Sequence, residues 1–386
     1  MTDYLAIARD LQPLIREAAD EADRTARLPA RVATGMAEAG LYRLTIASAF
    51  GGIEADPLTT FEVIEAISQA DGAAGWNLMI SLETAGIASG AATNEAGEAV
   101  YASNPNMIMS GALIALARGR RVPGGWRVSG RWPFASGCHN ASWFWGGFTQ
   151  YEADGTPILN AAGAPRAVQA LIPMAQATII ETWDVAGLRG SGSHNVEFTD
   201  IFVPDAFTTD VYGAPMRQTT ALFRYPLISR LCFTKVAVAT GIARTALDAF
   251  IDLANGKTPY ASRTLLRERA QAQLAIAEAE ALLGGARAFV LSGIRGVWDE
   301  VCAGRTPSPD VRMRQRLAAS TAVQWAAQAV DLVHAAAGST VNYTKSPLER
   351  CFRDVHVVPQ HVTVAPTFFE TAGRALLGMP VLPGSF

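Results

Sequence analysis

The chain has 386 residues, with 32 lysine and arginine residues against 35 aspartate and glutamate residues, and a net charge of −3. This balance provides no excess of positive charge for binding nucleic acid or an anionic membrane surface. Apolar residues make up 49% of the chain and charged residues 17%, which excludes a mainly disordered protein. The length exceeds the size at which one hydrophobic core usually stops growing, so two or three domains are expected.

Apolar runs, the N-terminal residues and the cysteines limit the class of protein further. No run reaches the roughly 18 apolar residues of a membrane-spanning helix. Charged residues occur from Asp3 onward, which predicts no secretion signal. The cysteines contain no closely spaced pair, so we expect neither a disulfide framework nor a metal site; they are Cys138, Cys232, Cys302 and Cys351. These features favour a cytoplasmic protein.

The first part of the chain has a helical pattern. Apolar residues recur at three- and four-residue spacing from Leu5 to Ala18. Further helices are predicted over 30–39, 58–69 and 73–89, and the last is apolar on all sides, which is typical of a buried helix. We therefore predict a helical domain over residues 1–105.

The pattern changes twice after this domain. Between residues 106 and 220, glycine and proline become frequent and short β-type runs alternate with turns, which predicts a β-domain. Residues 221–386 return to long Ala/Leu-rich helices, predicted over 226–255, 265–302 and 308–338, with a shorter one after Pro366. The expected protein is mostly α, with a central β-domain between two helical domains.

Three segments resemble one known family. Residues 124–148, 183–204 and 346–362 occur in the order and spacing of the acyl-CoA dehydrogenase superfamily. They are more similar to its oxygenase branch, the two-component flavin-dependent monooxygenases that receive reduced flavin from a separate reductase. The resemblance covers essentially the whole chain. It implies an N-terminal helical bundle, a central β-barrel or sandwich, a C-terminal four-helix bundle and a homotetramer.

The resemblance also assigns flavin-binding residues. Phe134 and Ser136 match the positions of an aromatic residue against the flavin ring and a hydroxyl at its N5 atom, although core packing and a turn would equally explain these two residues. The loop Gly190, Ser191, Gly192, Ser193 resembles the loop that borders the flavin. Arg263 is either a phosphate contact or a solvated residue near a helix start. Because the dehydrogenases' adenine-side motif is absent, FMN is slightly preferred over FAD.

Departures from the dehydrogenases concern the catalytic base. The carboxylate that removes a thioester α-proton falls at Val362, or in its alternative location around Leu231, and neither side chain accepts a proton. The oxygenase branch resembles this chain in having a histidine at the neighbouring position, His361. A neutral imidazole there can accept a substrate proton or donate a hydrogen bond to the distal oxygen of a flavin C4a-hydroperoxide.

Other residues are expected around the substrate or in structural roles. Trp76, His139 and Trp143 are predicted to line the substrate pocket. A structural role is equally open for His139, and core packing alone could explain Trp143. His194 is predicted at the surface or at the edge of the cofactor. The adjacent residues Arg353 and Asp354 are expected to form a structural ion pair.

We therefore predict the oxygenase component of a two-component monooxygenase. It would use reduced FMN or FAD and O₂ to hydroxylate an aromatic or other electron-rich small molecule, with His361 and Ser136 as catalytic residues. Its partners would be that substrate and a flavin reductase, with no nucleic acid and no membrane. Two alternatives remain: a flavoenzyme that oxidises an acyl-CoA thioester, and a flavin-binding relative without catalysis.

Overall fold

The structure is a computed structural model that describes residues 2–381 and residue 385. The N-terminal region is helical, as predicted. Its helices are α1 (Tyr4–Asp10), α2 (Gln12–Thr25), α3 (Ala30–Glu38), α4 (Pro57–Ala70), α5 (Gly72–Ala91) and the single turn α6 (Asn94–Gly97). The periodic pattern from Leu5 to Ala18 spans two helices rather than one. The chain divides at Leu11, because Pro13 has no N–H for a continuous helix but fits the first turn of a new one.

Helix α5 lies at the centre of the molecule. Asp71 caps its N-terminus, where the carboxylate accepts the backbone N–H of Ala74 at 2.8 Å. All its residues except Ile80 are buried, which confirms the prediction from its apolar composition. Its Gly72 lies against Ile242 and its Glu83 is bonded to Lys235, both in the C-terminal region, and Ser81 accepts a hydrogen bond from the first strand at 3.0 Å. Helix α5 therefore joins the three parts of the fold.

The central region is one mixed sheet of seven strands in the order β5-β6-β2-β1-β3-β4-β7. Strands β1 and β3 are parallel and the other neighbouring pairs are antiparallel. The strands are β1 (Met109–Val122), β2 (Gly125–Trp132), β3 (Trp143–Tyr151), β4 (Ala167–Pro173), β5 (Thr178–Ile180), β6 (Asn195–Pro204) and β7 (Thr208–Thr209). The segments after β2 and before β6 form two facing loops.

The C-terminal region is again helical. Its helices are α7 (Ala221–Arg224), α8 (Leu227–Gly256), α9 (Ala270–Cys302), α10 (Pro309–Ala337), α11 (Pro347–Val355) and α12 (Phe368–Leu376). The predicted start of α9 is five residues too early, because Leu266–Glu268 forms a separate 3₁₀ turn. Helix α11 was not predicted. The boundaries at 105 and 220 fall between helices and strands, and their status as domain boundaries stays a prediction.

None of the helices in residues 2–381 combines the length and the apolar character needed to cross a lipid bilayer.

Candidate active site

Three of the predicted site residues meet at one point. Trp76, in α5, donates its indole N–H to the hydroxyl of Ser136 at 3.1 Å. The edge of the same indole contacts the imidazole of His361, with ring centroids 5.8 Å apart and an interplanar angle of 66°. Residues far apart in the sequence are therefore joined through Trp76.

A chain of hydroxyl groups extends from this point. The Ser136 hydroxyl lies 2.7 Å from that of Ser193, which lies 2.7 Å from that of Ser191. All three serines are buried. Since Trp76 already donates to Ser136, the Ser136 proton is available either to Ser193 or to a ligand.

Backbone geometry in two loops holds the serines in place. After β2, Gly137 donates its N–H to the Ser191 carbonyl at 2.9 Å. Its φ is +73°, and a Cβ at this position would lie 2.5 Å from the side-chain oxygen of Asn77. Asn77 donates to the carbonyl of Gly190 at 3.3 Å, and Gly192 has a φ of +54°. The glycines thus allow the loops and α5 to approach closely.

Phe134 is exposed and has an unusual backbone conformation. It is 68% exposed, so the alternative of a core residue is wrong. Its φ of +60° is unusual for a residue with a side chain, and its ring contacts the edge of Trp183 at a centroid distance of 6.2 Å. An exposed aromatic ring near a buried hydroxyl chain fits a flat heterocycle with a polar edge, which is what a flavin presents.

His361 is held by a neighbouring threonine. Its Nδ1 lies 2.9 Å from the Thr363 hydroxyl and 3.3 Å from the Thr363 backbone nitrogen, and that hydroxyl lies 3.1 Å from the Leu231 carbonyl. Burial, and secondarily the charge of Lys235, lower the pKa of His361 to about 2. The imidazole is therefore neutral near pH 7. Val362, where the resemblance places the dehydrogenase base, is 74% exposed.

A buried ion pair near His361 was not predicted. The Lys235 ammonium is 1% exposed and donates to both carboxylate oxygens of Glu83, which is 6% exposed. The Thr234 hydroxyl donates to the same carboxylate. Burial lowers the pKa of Lys235 and raises that of Glu83, and the attraction between the two charges opposes both shifts. The pair joins α5 to α8.

Three predicted residues lie outside this cluster. His139 is 2.9 Å from Glu181, and its role in substrate binding stays a prediction. Trp143 stacks on Phe207, with ring centroids 6.0 Å apart. Arg263 is exposed and makes no hydrogen bond or ion pair with the residues that the structure describes.

Known proteins identify the family. The family profile "Acyl-CoA dehydrogenase, N-terminal domain" matches residues 7–98, and "Acyl-CoA dehydrogenase, C-terminal domain" matches residues 233–366. Indole-3-acetate monooxygenase of Pseudomonas putida is 33% identical over 94% of this chain and 91% of its own length. The chain belongs to the flavin-dependent monooxygenases of the acyl-CoA dehydrogenase superfamily. Indole-3-acetate monooxygenase of Acinetobacter baumannii is 30% identical, over 96% of this chain and 92% of its own.

Solved structures agree with this assignment. The 3-HSA hydroxylase from Rhodococcus sp. RHA1 superposes with a TM-score of 0.89 at 25% identity, covering 100% of this chain and 99% of the other. The HsaA monooxygenase from M. tuberculosis gives a TM-score of 0.88, also at 25% identity, with the same coverage. The predicted fold and the predicted oxygenase branch are both confirmed.

Two histidines and a glutamate of the monooxygenase form a cluster that resembles a metal site. Ligand atoms of His139, Glu181 and His194 lie within 4.8 Å of one another. However, Nδ1 of His194 accepts the backbone N–H groups of Thr182 and Trp183 at 3.0 and 3.1 Å, so its proton is on Nε2, facing Glu181. A protonated Nε2 does not bind a metal, and we interpret the cluster as structural. His194 is buried, so the predicted surface position is wrong, and the alternative position at the edge of the cofactor stays a prediction.

The predicted ion pair between Arg353 and Asp354 is also wrong. Arg353 pairs with Asp23 at 3.1 Å and with Glu349 at 2.5 Å. Asp354 is buried and accepts the backbone N–H of Leu188 at 2.6 Å. Asp354 therefore anchors the start of the loop that carries the serines.

The Asp354 carboxyl predicts a pH effect on stability. Burial, and then the charge of Asp71, raise its pKa to about 7. Between about pH 4 and pH 7 the carboxyl is protonated in the folded protein but ionised in the unfolded chain. The contribution of this group to the free energy of unfolding is therefore complete below about pH 4, and it is lost as the pH rises towards 7. Asp354→Asn is expected to remove this pH-dependent contribution to the free energy of unfolding. Urea unfolding at about pH 5 and pH 8 measures the change in the free energy of unfolding between these pH values. An equal change in Asp354→Asn and the wild type would contradict the prediction.

The hydrogen bond from Trp76 predicts an effect on flavin binding. Trp76→Phe keeps the ring but removes the N–H, so the Ser136 hydroxyl loses one fixed partner. We expect affinity for reduced flavin to fall about fivefold, corresponding to about 1 kcal/mol. Anaerobic fluorescence titration measures this affinity. Trp143→Phe is the matched control, because Trp143 lies outside the network, and equal effects of both substitutions would refute the prediction.

Proposed function

We propose that this monooxygenase is the oxygenase component of a two-component system, and that it hydroxylates an indole-like or phenolic small molecule. The relatives from Pseudomonas putida and Acinetobacter baumannii, at 33% and 30% identity, are both named indole-3-acetate monooxygenase. A relative from Rhizobium at 26% identity is named an FADH(2)-dependent resorcinol hydroxylase, oxygenase component. The balanced reaction takes one O₂ and one reduced flavin, adds one oxygen atom to the substrate, and releases water and oxidised flavin.

The arrangement around Trp76 is the observation that carries this proposal. It brings a hydroxyl suited to a flavin edge, Ser136, and a neutral imidazole, His361, to one indole. The two locations of a dehydrogenase base hold Val362 and Leu231, which cannot accept a proton. The buried Glu83 is bonded to Lys235 and so does not replace that base. The geometry favours oxygen transfer over thioester oxidation.

Each part of the chain has a proposed role towards the flavin. The flavin itself would supply the electrons that activate O₂. Phe134 would stack near its ring, Ser136 would hydrogen-bond its N5 edge, and the loop from Gly190 to Ser193 would border it. Arg263, which is exposed, would contact the phosphate, and FMN is slightly preferred over FAD.

We further propose that the protein is a cytoplasmic homotetramer. Helix α9 exposes apolar side chains, including Leu274, which is 62% exposed. Such residues are expected where helices pack between subunits. A tetramer would also bring Arg263 of one subunit towards the flavin of another, as the resemblance implies.

A substrate screen tests the proposed activity. Purified protein, a generic flavin reductase, NADH and either FMN or FAD are incubated with indole-3-acetate, indole and resorcinol. We expect a product heavier by one oxygen atom, identified by mass spectrometry and absent without the oxygenase. Failure to form such a product, combined with reduction of bound flavin by an acyl-CoA, would contradict the proposal.

A further inference from the structure

Thr363 offers two donors to one nitrogen of His361. Its backbone N–H and its hydroxyl lie 3.3 and 2.9 Å from Nδ1. Thr363 is 8% exposed, and among the residues that the structure describes its N–H has no other acceptor. Because buried backbone N–H groups are almost always paired, this contact constrains where the imidazole proton lies.

Two tautomers of the neutral ring compete. With the proton on Nδ1, His361 would donate to the Thr363 hydroxyl, which would donate to the Leu231 carbonyl at 3.1 Å. The Thr363 N–H would then be unpaired and buried, which is unfavourable. With the proton on Nε2, Nδ1 accepts from both Thr363 donors. The Leu231 carbonyl needs no donor from Thr363, since it lies within α8 and accepts a helical hydrogen bond.

The surroundings keep the ring neutral. Lys235 lies close enough for its charge to oppose protonation of His361, and Trp76 covers one edge of the ring. Glu83 is bonded to Lys235 and Thr234. Among the described residues, none accepts a hydrogen bond from Nε2. The Nε2–H group is therefore free to act on a ligand.

We propose that Thr363 is a positioning residue that fixes His361 as the Nε2–H tautomer, so that His361 donates a hydrogen bond to an oxygen atom in the pocket instead of accepting a substrate proton. This inference rests on the proposed function for the identity of that oxygen atom. The tautomer itself follows from the hydrogen bonds of the chain. It decides between the two roles that the sequence left open for His361.

Nuclear magnetic resonance of the flavin-free protein tests the tautomer. The chain contains five histidines, so ¹⁵N-histidine labelling and a long-range ¹H–¹⁵N correlation spectrum resolve each ring. His361→Gln identifies the His361 signals. We expect the Nε2–H pattern for His361, unchanged between about pH 6 and pH 8. A proton on Nδ1, or titration within this range, would overturn the inference.

Three variants test the role of Thr363. Thr363→Val keeps the backbone N–H but removes the hydroxyl that an Nδ1–H would need as acceptor, so it should keep the Nε2–H pattern. Thr363→Pro removes the backbone N–H, and should give averaged signals from both tautomers and about tenfold less product per NADH. Thr363→Ser should keep both wild-type values. An Nδ1–H pattern in Thr363→Val, or an unchanged spectrum in a folded Thr363→Pro, would remove Thr363 from this role. If the wild type has the expected tautomer but hydroxylates nothing, the proposed function fails and the tautomer assignment stands.

Discussion

Replacement of His361 by alanine is expected to lower the amount of hydroxylated product per NADH about 100-fold, the usual contribution of one positioned polar group in a catalytic site. His361 touches Trp76 and is neutral, and its Nε2–H is the proposed donor to the reacting oxygen. Ser136 and the glycine loop remain in place in the variant. Affinity for reduced flavin should therefore change little, and hydrogen peroxide should replace the lost product.

Product yield, peroxide release and flavin affinity measure this prediction together. His334→Ala is the matched control. The His334 ring stacks on that of Phe352, with ring centroids 4.2 Å apart, and has no contact with Trp76 or Ser136. This control should keep the wild-type product yield. Full product yield in His361→Ala would exclude His361 from the reaction without changing the family assignment.

Replacement of Lys235 by methionine is expected to lower the free energy of unfolding by about 3–5 kcal/mol, the usual cost of breaking a buried ion pair. Methionine is similar in length but leaves the Glu83 carboxylate without its ammonium partner. Among the described residues, the Thr234 hydroxyl would then be the one remaining donor to the buried Glu83 carboxylate. Since the pair joins α5 to α8, the loss affects the packing of the helix that carries Trp76.

Urea unfolding of three variants measures this loss. The double variant Glu83→Gln/Lys235→Met should recover most of the stability, because no charge is left unpaired. Arg314→Met breaks an exposed pair with Asp310 and should cost no more than about 1 kcal/mol. A loss in Lys235→Met as small as in Arg314→Met would show that the buried pair is unimportant for stability.

Much of the fold could be predicted from local patterns. Apolar periodicity located α4, α5, α8, α9 and α10 within a few residues, because each has a continuous apolar face or is apolar throughout. Helix α11 was missed although it is no shorter than α3 and α12, which were predicted and also have nine residues each. Its residues were interpreted only through their resemblance to the family. The site loops could be predicted because their residue types and spacing resemble a family.

The remaining parts depend on tertiary contacts that no local pattern contains. Glu83 and Lys235 are single charges in apolar helices, but 152 positions separate them and their pairing appears only when α5 packs on α8. Adjacent residues of a helix point in directions about 100° apart, which is why Arg353 and Asp354 do not pair. Thr363 follows a recognisable histidine, yet its function depends on where its N–H and hydroxyl point.

The most direct test of the central claim is the source of the added oxygen atom. Reduced flavin, the wild-type protein and a substrate identified by the screen are mixed without air, and O₂ labelled with a heavy oxygen isotope is then admitted. We predict one labelled oxygen atom in each product molecule, with little labelled product from His361→Ala. Unlabelled product would contradict oxygen transfer from O₂, and so would the absence of product while an acyl-CoA thioester reduces the bound flavin.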